Sequence, residues 1–184
     1  MYNRSLKHPI TALIIAIIAC GFALVMNTQM KLGERVQAVE DGFFTSVAGE
    51  RSIYSRLEEK LDAANGLWTI LEGVDANAAQ SLSDARSGLL TAYESRDISA
   101  MYDANSELDK VYADAVNALD GAELDESMQS ALDSYTTNYE GAQKMIEQNS
   151  YNSSVLEFMR STFNKFPTSE LASFTGVEPP VSFE

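Results

Sequence analysis

The feature that most constrains this chain is one uninterrupted apolar run, Pro9 to Met26, which carries no charge and a single polar side chain, Thr11. No second run of this kind occurs later in the sequence. A helix needs about 20 apolar residues to cross a hydrocarbon core of ~30 Å, so this run is at the short end of the workable range. We expect a short flank at 1–8, a transmembrane helix at 9–26 and one water-exposed domain after it.

Three interpretations of the apolar run stay open, and they differ in whether the segment is cleaved. A signal peptide has an apolar core of about 7–15 residues and a small-residue cleavage site, and neither feature matches well. A lipoprotein signal is closer, because Ile17-Ile18-Ala19 precedes Cys20, but the apolar run continues past this cysteine to Met26. The sequence favours an uncleaved single-pass anchor, with lipid attachment at Cys20 as the alternative.

The charge distribution bears on the membrane side and on the partners. Two basic residues precede the run, Arg4 and Lys7, and two follow it closely, Lys31 and Arg35, so the positive-inside rule barely decides the orientation. All 27 acidic residues lie after Met26, which argues against docking on nucleic acid or on anionic lipid. We expect a cytoplasmic N-terminus and an extracytoplasmic domain, with a cytoplasmic domain as the alternative.

Helical periodicity dominates the rest of the chain. Proline is absent from Ile10 to Phe166, and apolar residues recur three or four positions apart. The first helix is expected to leave the membrane and end near Gly73. Three aspartates are expected to begin the later helices: Asp75, Asp97 and Asp125. Since short connectors favour antiparallel neighbours, the predicted fold is all-α, an up-and-down four-helix bundle at 27–166 with long first and last helices.

The segment at 167–184 is predicted to be a non-helical tail, because Pro and Gly interrupt it. It nevertheless carries four apolar residues: Phe174, Val177, Val181 and Phe183. A free solvated tail has no reason to carry them, since disordered segments are usually poor in aromatics. We expect the tail to cover one end of the bundle or to form a partner-binding surface.

Few residues of the domain are suited to catalysis or metal binding. The only histidine, His8, lies at the membrane edge and the only cysteine lies in the apolar run, which leaves zinc sites, di-iron sites and histidine-based triads without their usual groups. Two acidic clusters could serve paired-carboxylate or calcium chemistry: Glu58, Glu59 and Asp62, and Glu123, Asp125 and Glu126. Because exposed helix faces normally carry such residues, we interpret them as solvated surface and expect no enzymatic activity, metal or cofactor.

A dense set of aromatic, amide and proline residues closes the chain: Tyr151, Asn152, Val155, Phe158, Met159, Phe163, Phe166, Pro167, Ala172, Gly176, Val177, Pro179, Phe183 and Glu184. This pattern resembles the closing signature of the LemA family. The layout before it is similar too, with a membrane segment, then Asn27 and Val36, then Glu50-Arg51. The chain departs from the family where Phe158-Met159 replaces a second Tyr-Asn pair and where Ser52–Arg56 replaces an Asp-Leu-x-Pro run.

The resemblance implies a membrane-anchored helical bundle of unestablished biochemical role, with lipid-anchored members in the family. Considered as residues alone, the Tyr151 hydroxyl and the Asn152 amide could tie the last helix to a neighbour. We prefer this structural role for the signature to a ligand-binding one.

Three functions stay open at this stage. The favoured one is a scaffold or interaction protein of the bacterial cell envelope, held by the bilayer and bound to another membrane or envelope protein. The alternative is a sensory or ligand-binding bundle, which would need a signalling domain. The third is an unrecognised enzyme that works with carboxylates, Ser and Tyr. The oligomeric state is open.

Overall fold

The computed structural model describes residues 8–46 and 49–184, and in that part of the chain all regular secondary structure is helical. Seven helices follow one another: α1 (His8–Phe44), α2 (Ile53–Leu71), α3 (Ala76–Ser95), α4 (Ile98–Asn117), α5 (Glu126–Glu147), α6 (Tyr151–Phe158) and α7 (Thr168–Thr175). A π-helical turn (Met159–Phe163) continues α6. The all-α prediction is confirmed. The predicted flank at 1–8 lies outside the described residues except for His8.

The N-terminal part of α1 is long and apolar enough to cross a membrane. The candidate span lies within Ala12–Phe44, and its most apolar window has a mean hydropathy of 2.0 and is not buried. Its large side chains are exposed, among them Leu13, Ile14, Ile15, Ile17, Ile18 and Phe22. Apolar surface therefore surrounds this part of the helix, as a lipid environment requires.

The prediction of one first helix that continues to Gly73 is wrong, because α1 ends at Phe44 and α2 begins at Ile53. Gly49, five residues after the end of α1, adopts φ 86°, a left-handed conformation that favours glycine. Ser52 then caps α2, since its hydroxyl accepts a hydrogen bond from the backbone N–H of Ser55 at 3.2 Å. Local backbone signals thus interrupt an apolar periodicity that runs through both helices.

The last predicted helix is also broken, and the predicted tail is partly helical. Helix α5 ends at Glu147, and the side-chain oxygen of Asn149 accepts from the N–H of Tyr151 where α6 begins. The tail at 167–184 was expected to be non-helical, which is wrong for Thr168–Thr175 because Pro at the start of a helix lacks only a donor that the first turn does not use. Gly176 ends α7 in the left-handed conformation, with φ 68°.

The three predicted helix starts are confirmed. Asp75, Asp97 and Asp125 each have extended backbone and a carboxylate that accepts a hydrogen bond from a first-turn N–H. These caps satisfy donors that the helix itself leaves unpaired. Backbone hydrogen bonds to Asp125 also lower the pKa of its carboxyl below the ordinary value.

The chain divides into two compact units. Unit 1 holds residues 8–39 and 156–180 among those described, and unit 2 holds residues 40–155 and 181–184. In unit 1, Leu32, Phe163 and Ala172 are buried together, and Val36, Phe158, Met159 and Val177 pack against them. In unit 2, α2 packs against α3, α4 and α5, and α3 packs against α4. Its innermost side chains include Leu57, Leu67, Leu71, Leu82, Leu89, Met101 and Leu108.

Candidate functional site: a buried lysine beside an open groove

A lysine with no exposed surface lies at the centre of unit 2. Lys60, on α2, donates from Nζ to Asn105 Oδ1 at 2.5 Å, to Asp109 Oδ1 at 2.5 Å and to Gln143 Oε1 at 2.6 Å. Three acceptors match the three protons of an ammonium group, so the geometry fits a protonated side chain. Burial lowers the pKa of Lys60 below 10.5, while the charge of Asp109 opposes this shift.

Lys60 occupies a core position because of its place in the α2 repeat. It falls on the same stripe as Leu57, Ala64, Leu67 and Leu71, all of which are buried. A lysine on an apolar stripe is the signal that could have pointed to this network. Lys60 was not predicted as a site residue, because the acidic neighbours Glu58 and Glu59 are the more conspicuous charged group in the sequence.

Two tyrosines extend the lysine network. Tyr139 donates from its hydroxyl to Asp109 at 2.8 Å, and its ring stacks on Tyr112 with centroids 3.6 Å apart. The Lys60 ammonium lies 4.6 Å from the centroid of the Tyr139 ring. Burial raises the pKa of Tyr112 to about 12, and burial together with the Asp109 charge also raises the pKa of Tyr139.

An open groove of about 730 Å³ runs between α4 and α5 above this network. These two helices are not a closely packed pair, and the stacked tyrosines form part of the groove wall. The other wall residues are polar and apolar: Asp109, Ala113, Val116 and Asn117 on α4, Thr136, Glu140, Gln143, Lys144 and Glu147 on α5, and Gln148 directly after it.

One polar atom of the groove has no partner. The Tyr112 hydroxyl is buried. The Thr136 side chain lowers the pKa of this hydroxyl, but the two groups do not form a hydrogen bond of good geometry. A buried hydroxyl without a partner costs free energy. The groove offers acidic side chains and apolar surface to a ligand, whereas the Tyr112 hydroxyl is buried behind its wall and the Lys60 amine is fully engaged.

The signature residues Tyr151 and Asn152 hold the C-terminal segment rather than a neighbouring helix. The Tyr151 hydroxyl donates to the carbonyl of Val181 at 2.5 Å. The Asn152 amide donates to the carbonyl of Phe183 at 2.9 Å and accepts from the N–H of Phe183 at 2.8 Å. These two hydrogen bonds resemble the pairing of residues in adjacent strands, and they fix the backbone of Phe183 in an otherwise irregular segment.

The hydrogen bonds from Tyr151 and Asn152 hold the segment in which Phe183 is buried, with 5% of its surface exposed. Its ring centroid lies 5.3 Å from that of Phe43 and 5.4 Å from that of Tyr102, and Phe43 also contacts Tyr151. Val155 is buried on the same helix as Tyr151. The expectation that the tail folds back is confirmed for Phe183.

The remaining signature residues, except Glu184, lie in unit 1, where some are packed and others are exposed. Phe158, Met159 and Ala172 belong to its core, and Gly176 ends α7. Phe166 is 82% exposed, and Pro167 directly precedes α7. Phe174 in the same unit is also 82% exposed.

The pair Glu50-Arg51 meets the start of α6. The Glu50 carboxylate accepts from the backbone N–H of Ser150 at 3.2 Å and from its hydroxyl at 2.7 Å. Asn149 donates from its side chain to the carbonyl of Arg51 at 3.1 Å. Glu50 and Arg51 thus contact the two residues that directly precede the signature pair Tyr151 and Asn152.

The predicted acidic clusters are on the surface. Glu59 forms ion pairs with Arg51 and Arg56, and Asp125 is the cap of α5. Glu58, Asp62, Glu123 and Glu126 are exposed. Among the residues that the structure describes, no group of three or more His, Cys, Asp or Glu side chains could hold a metal ion.

Comparison with known proteins adds no relative. No family profile, no curated protein and no solved structure matches the chain.

Proposed function

We propose that this chain is a LemA-like, membrane-anchored interaction or scaffold protein of the bacterial cell envelope, without enzymatic activity. The observation that carries the proposal is the exposed apolar part of α1, which needs lipid or protein to cover it. The helix stays uncleaved, the N-terminus is cytoplasmic and the folded units are extracytoplasmic. The partner is another membrane or envelope protein.

The side chains that carry the LemA resemblance support a structural rather than a chemical role for the signature. The polar side-chain atoms of Tyr151 and Asn152 form hydrogen bonds with the backbone of residues 181 and 183 of the same chain. Lys60, the most deeply buried ionisable group, has all three donors paired. With these groups engaged internally, binding through exposed surfaces is the function that fits best.

Within unit 2, we infer that α2 to α5 form an antiparallel up-and-down bundle. The connectors between successive helices are short, at residues 72–75, 96–97 and 118–125, which favours antiparallel neighbours. The contacts of α2 with α3, α4 and α5, and of α3 with α4, support this arrangement, in which the α4–α5 side is the most open. This bundle differs from the one expected from the sequence, because α1 contributes none of its four helices.

Cysteine labelling tests the orientation. In a Cys20→Ser background, Ser127→Cys places one exposed thiol near the start of α5. A membrane-impermeant maleimide should label it in cells whose outer barrier has been opened. Ser5→Cys is the matched control and should react only after the inner membrane is permeabilised. The opposite labelling pattern would reverse the orientation.

In-cell cross-linking of the intact protein tests the interaction role. We expect one envelope protein to be cross-linked reproducibly, and a control chain that keeps residues 1–26 but carries an unrelated helical domain should not capture it. Recovery of the same proteins with both chains would show that the anchor alone accounts for the contacts and would contradict a binding role for the folded units.

The groove between α4 and α5 favours a second candidate, a ligand-binding bundle. Its acidic side chains and stacked tyrosine rings suit a small organic cation. Putrescine, spermidine and choline are direct probes, with the melting temperature as readout. Ala113→Trp, which fills the groove from an exposed position, should abolish any stabilisation, whereas Thr91→Trp on the exposed face of α3 should not. If no probe stabilises the parent protein, this candidate is rejected for these cations.

A further inference from the structure

Unit 1 exposes two large aromatic side chains that its core does not use. Phe166 and Phe174, one on each side of the start of α7, are each 82% exposed, more than any other large apolar side chain described. Ala172, two positions from Phe174, packs on Leu32 of α1. Since two helical residues subtend about 200°, Phe174 lies on the face of α7 opposite to the one that packs against α1.

The position of α7 along α1 sets its distance from the apolar run. Leu32 is six residues beyond Met26, where the run ends, which corresponds to about 9 Å along the helix axis. The headgroup region adds roughly 5–8 Å to each side of the hydrocarbon core. A helix with its side chains has a radius of about 5–6 Å, so side chains of α7 can reach the boundary between headgroups and acyl chains.

The charge of unit 1 suits this location. Among its described residues, four are basic, Lys31, Arg35, Arg160 and Lys165, and four are acidic, Glu34, Glu157, Glu170 and Glu178. Unit 2 carries 7 basic and 23 acidic residues. The negative charge that argues against contact with anionic lipid therefore belongs to unit 2, and unit 1 meets no such barrier.

We propose that Phe166 and Phe174 insert into the lipid bilayer at the headgroup–acyl boundary of the leaflet from which α1 emerges. Phe side chains on segments that lie along a membrane surface are buried at this boundary, where their apolar rings leave water, and insertion covers two side chains that nothing in unit 1 covers. The inference rests on the proposed function, since it requires that α1 is embedded in the same bilayer. It adds a second membrane contact that holds unit 1 against the surface.

Fluorescence quenching of the full-length protein in phosphatidylcholine vesicles tests the insertion. Trp68, the only tryptophan, is replaced by Phe, and single tryptophans are introduced as Phe166→Trp and Phe174→Trp. Phe22→Trp, within the apolar run, reports on α1. Part of the lipid carries bromine either near the top of the acyl chains or near their ends, and the parent protein with Trp68 gives the reference for a site in unit 2.

Both unit 1 probes should lose fluorescence, and more to shallow bromine than to deep bromine. Phe22→Trp should be quenched more by deep bromine. If Phe22→Trp is quenched but either unit 1 probe is quenched no more than Trp68, the insertion is wrong while the anchor stands. If Phe22→Trp itself escapes quenching, the proposed membrane anchoring fails. Since both sites are exposed, the substitutions should leave the helical circular dichroism unchanged.

Discussion

Replacement of Lys60 should lower the free energy of unfolding of unit 2. Lys60→Met keeps the length of the side chain but leaves Asn105, Asp109 and Gln143 without their donor. We expect the free energy of unfolding to fall by about 2–4 kcal/mol, a range that allows for partial hydration of Asp109 from the groove. Chemical denaturation in detergent measures it.

Lys110→Met is the matched control, because Lys110 is exposed and its ion pair with Glu107 is on the surface. Exposed pairs of this kind contribute at most about 1 kcal/mol. Equal stability of the two variants would show that the Lys60 network contributes nothing beyond an ordinary surface lysine.

We expect the free energy of unfolding to fall at high pH, because several tyrosines have raised pKa values. Burial raises the pKa of Tyr112 to about 12 and also raises the pKa values of Tyr93, Tyr139 and Tyr151 above 10.0. Above pH 10 the unfolded chain has released protons that the folded chain still holds, so the free energy of unfolding falls as pH rises. Each such tyrosine contributes at most about 1.4 kcal/mol per pH unit.

Tyr112→Phe checks the assignment of this pH dependence. At neutral pH it should change stability little, because the hydroxyl it removes has no good partner. Between about pH 10.5 and pH 12 the variant should lose stability less steeply than the parent, because the Lys60 contribution is the same in both proteins. Parallel stability curves over this range would remove Tyr112 from the explanation.

At the scale of helices, α2 and α5 approach each other closely at Gly66. A Cβ atom placed on Gly66 would lie 2.3 Å from Cε1 of Tyr135, with two further ring atoms at 2.4 and 2.6 Å. Gly66→Ala should therefore destabilise unit 2, although Ala is better than Gly in a helix by about 1 kcal/mol.

Gly88→Ala in α3 is the control, since no atom lies within 4 Å of the added Cβ. It should raise the free energy of unfolding by roughly 0.5–1 kcal/mol. Opposite signs for the two glycine substitutions, read from thermal melts, would confirm the close approach of α2 and α5, and an equal gain for both would contradict it.

The C-terminal segment separates a packed phenylalanine from an exposed one. Phe183→Ala removes a ring packed against Phe43 and Tyr102, and we expect it to cost about 3 kcal/mol and roughly 6–12 °C in melting temperature. Phe174→Ala in detergent should leave the melting temperature within about 2 °C, because its ring is exposed. A similar drop for both would mean that Phe174 is packed too.

The sequence predicted what local chemistry determines and missed what distant contacts determine. The caps at Asp75, Asp97 and Asp125 follow from one residue type beside a helical period, so they were found. The break before Ile53 has a single-residue signal, the Ser52 cap, and the apolar stripe that continues across it predicts an unbroken helix instead.

The partners of Lys60 and Phe183 could not be predicted from the sequence. Asn105 and Gln143 are 45 and 83 residues from Lys60, and the amide that holds Phe183 is 31 residues before it. Periodicity shows that such residues fall on an inner face, but not which residue faces them. The groove could not be predicted either, because it depends on the distance between α4 and α5, which do not pack closely.

For the whole molecule, the net charge is divided unevenly between the two units. Unit 2 holds the entire excess of acid and unit 1 none of it. This distribution suits a molecule whose unit 1 lies at lipid and whose unit 2 lies in water. The membrane assignment itself depends on the apolar part of α1.

Intact mass spectrometry of the protein recovered from carbonate-washed membranes tests that assignment most directly. An uncleaved anchor predicts that the protein stays in the washed membranes and retains the residues before Cys20, with a mass near 20.2 kDa for the whole chain. Recovery in the carbonate supernatant, or a lipid-bearing mass that begins at Cys20, would contradict the uncleaved transmembrane anchor.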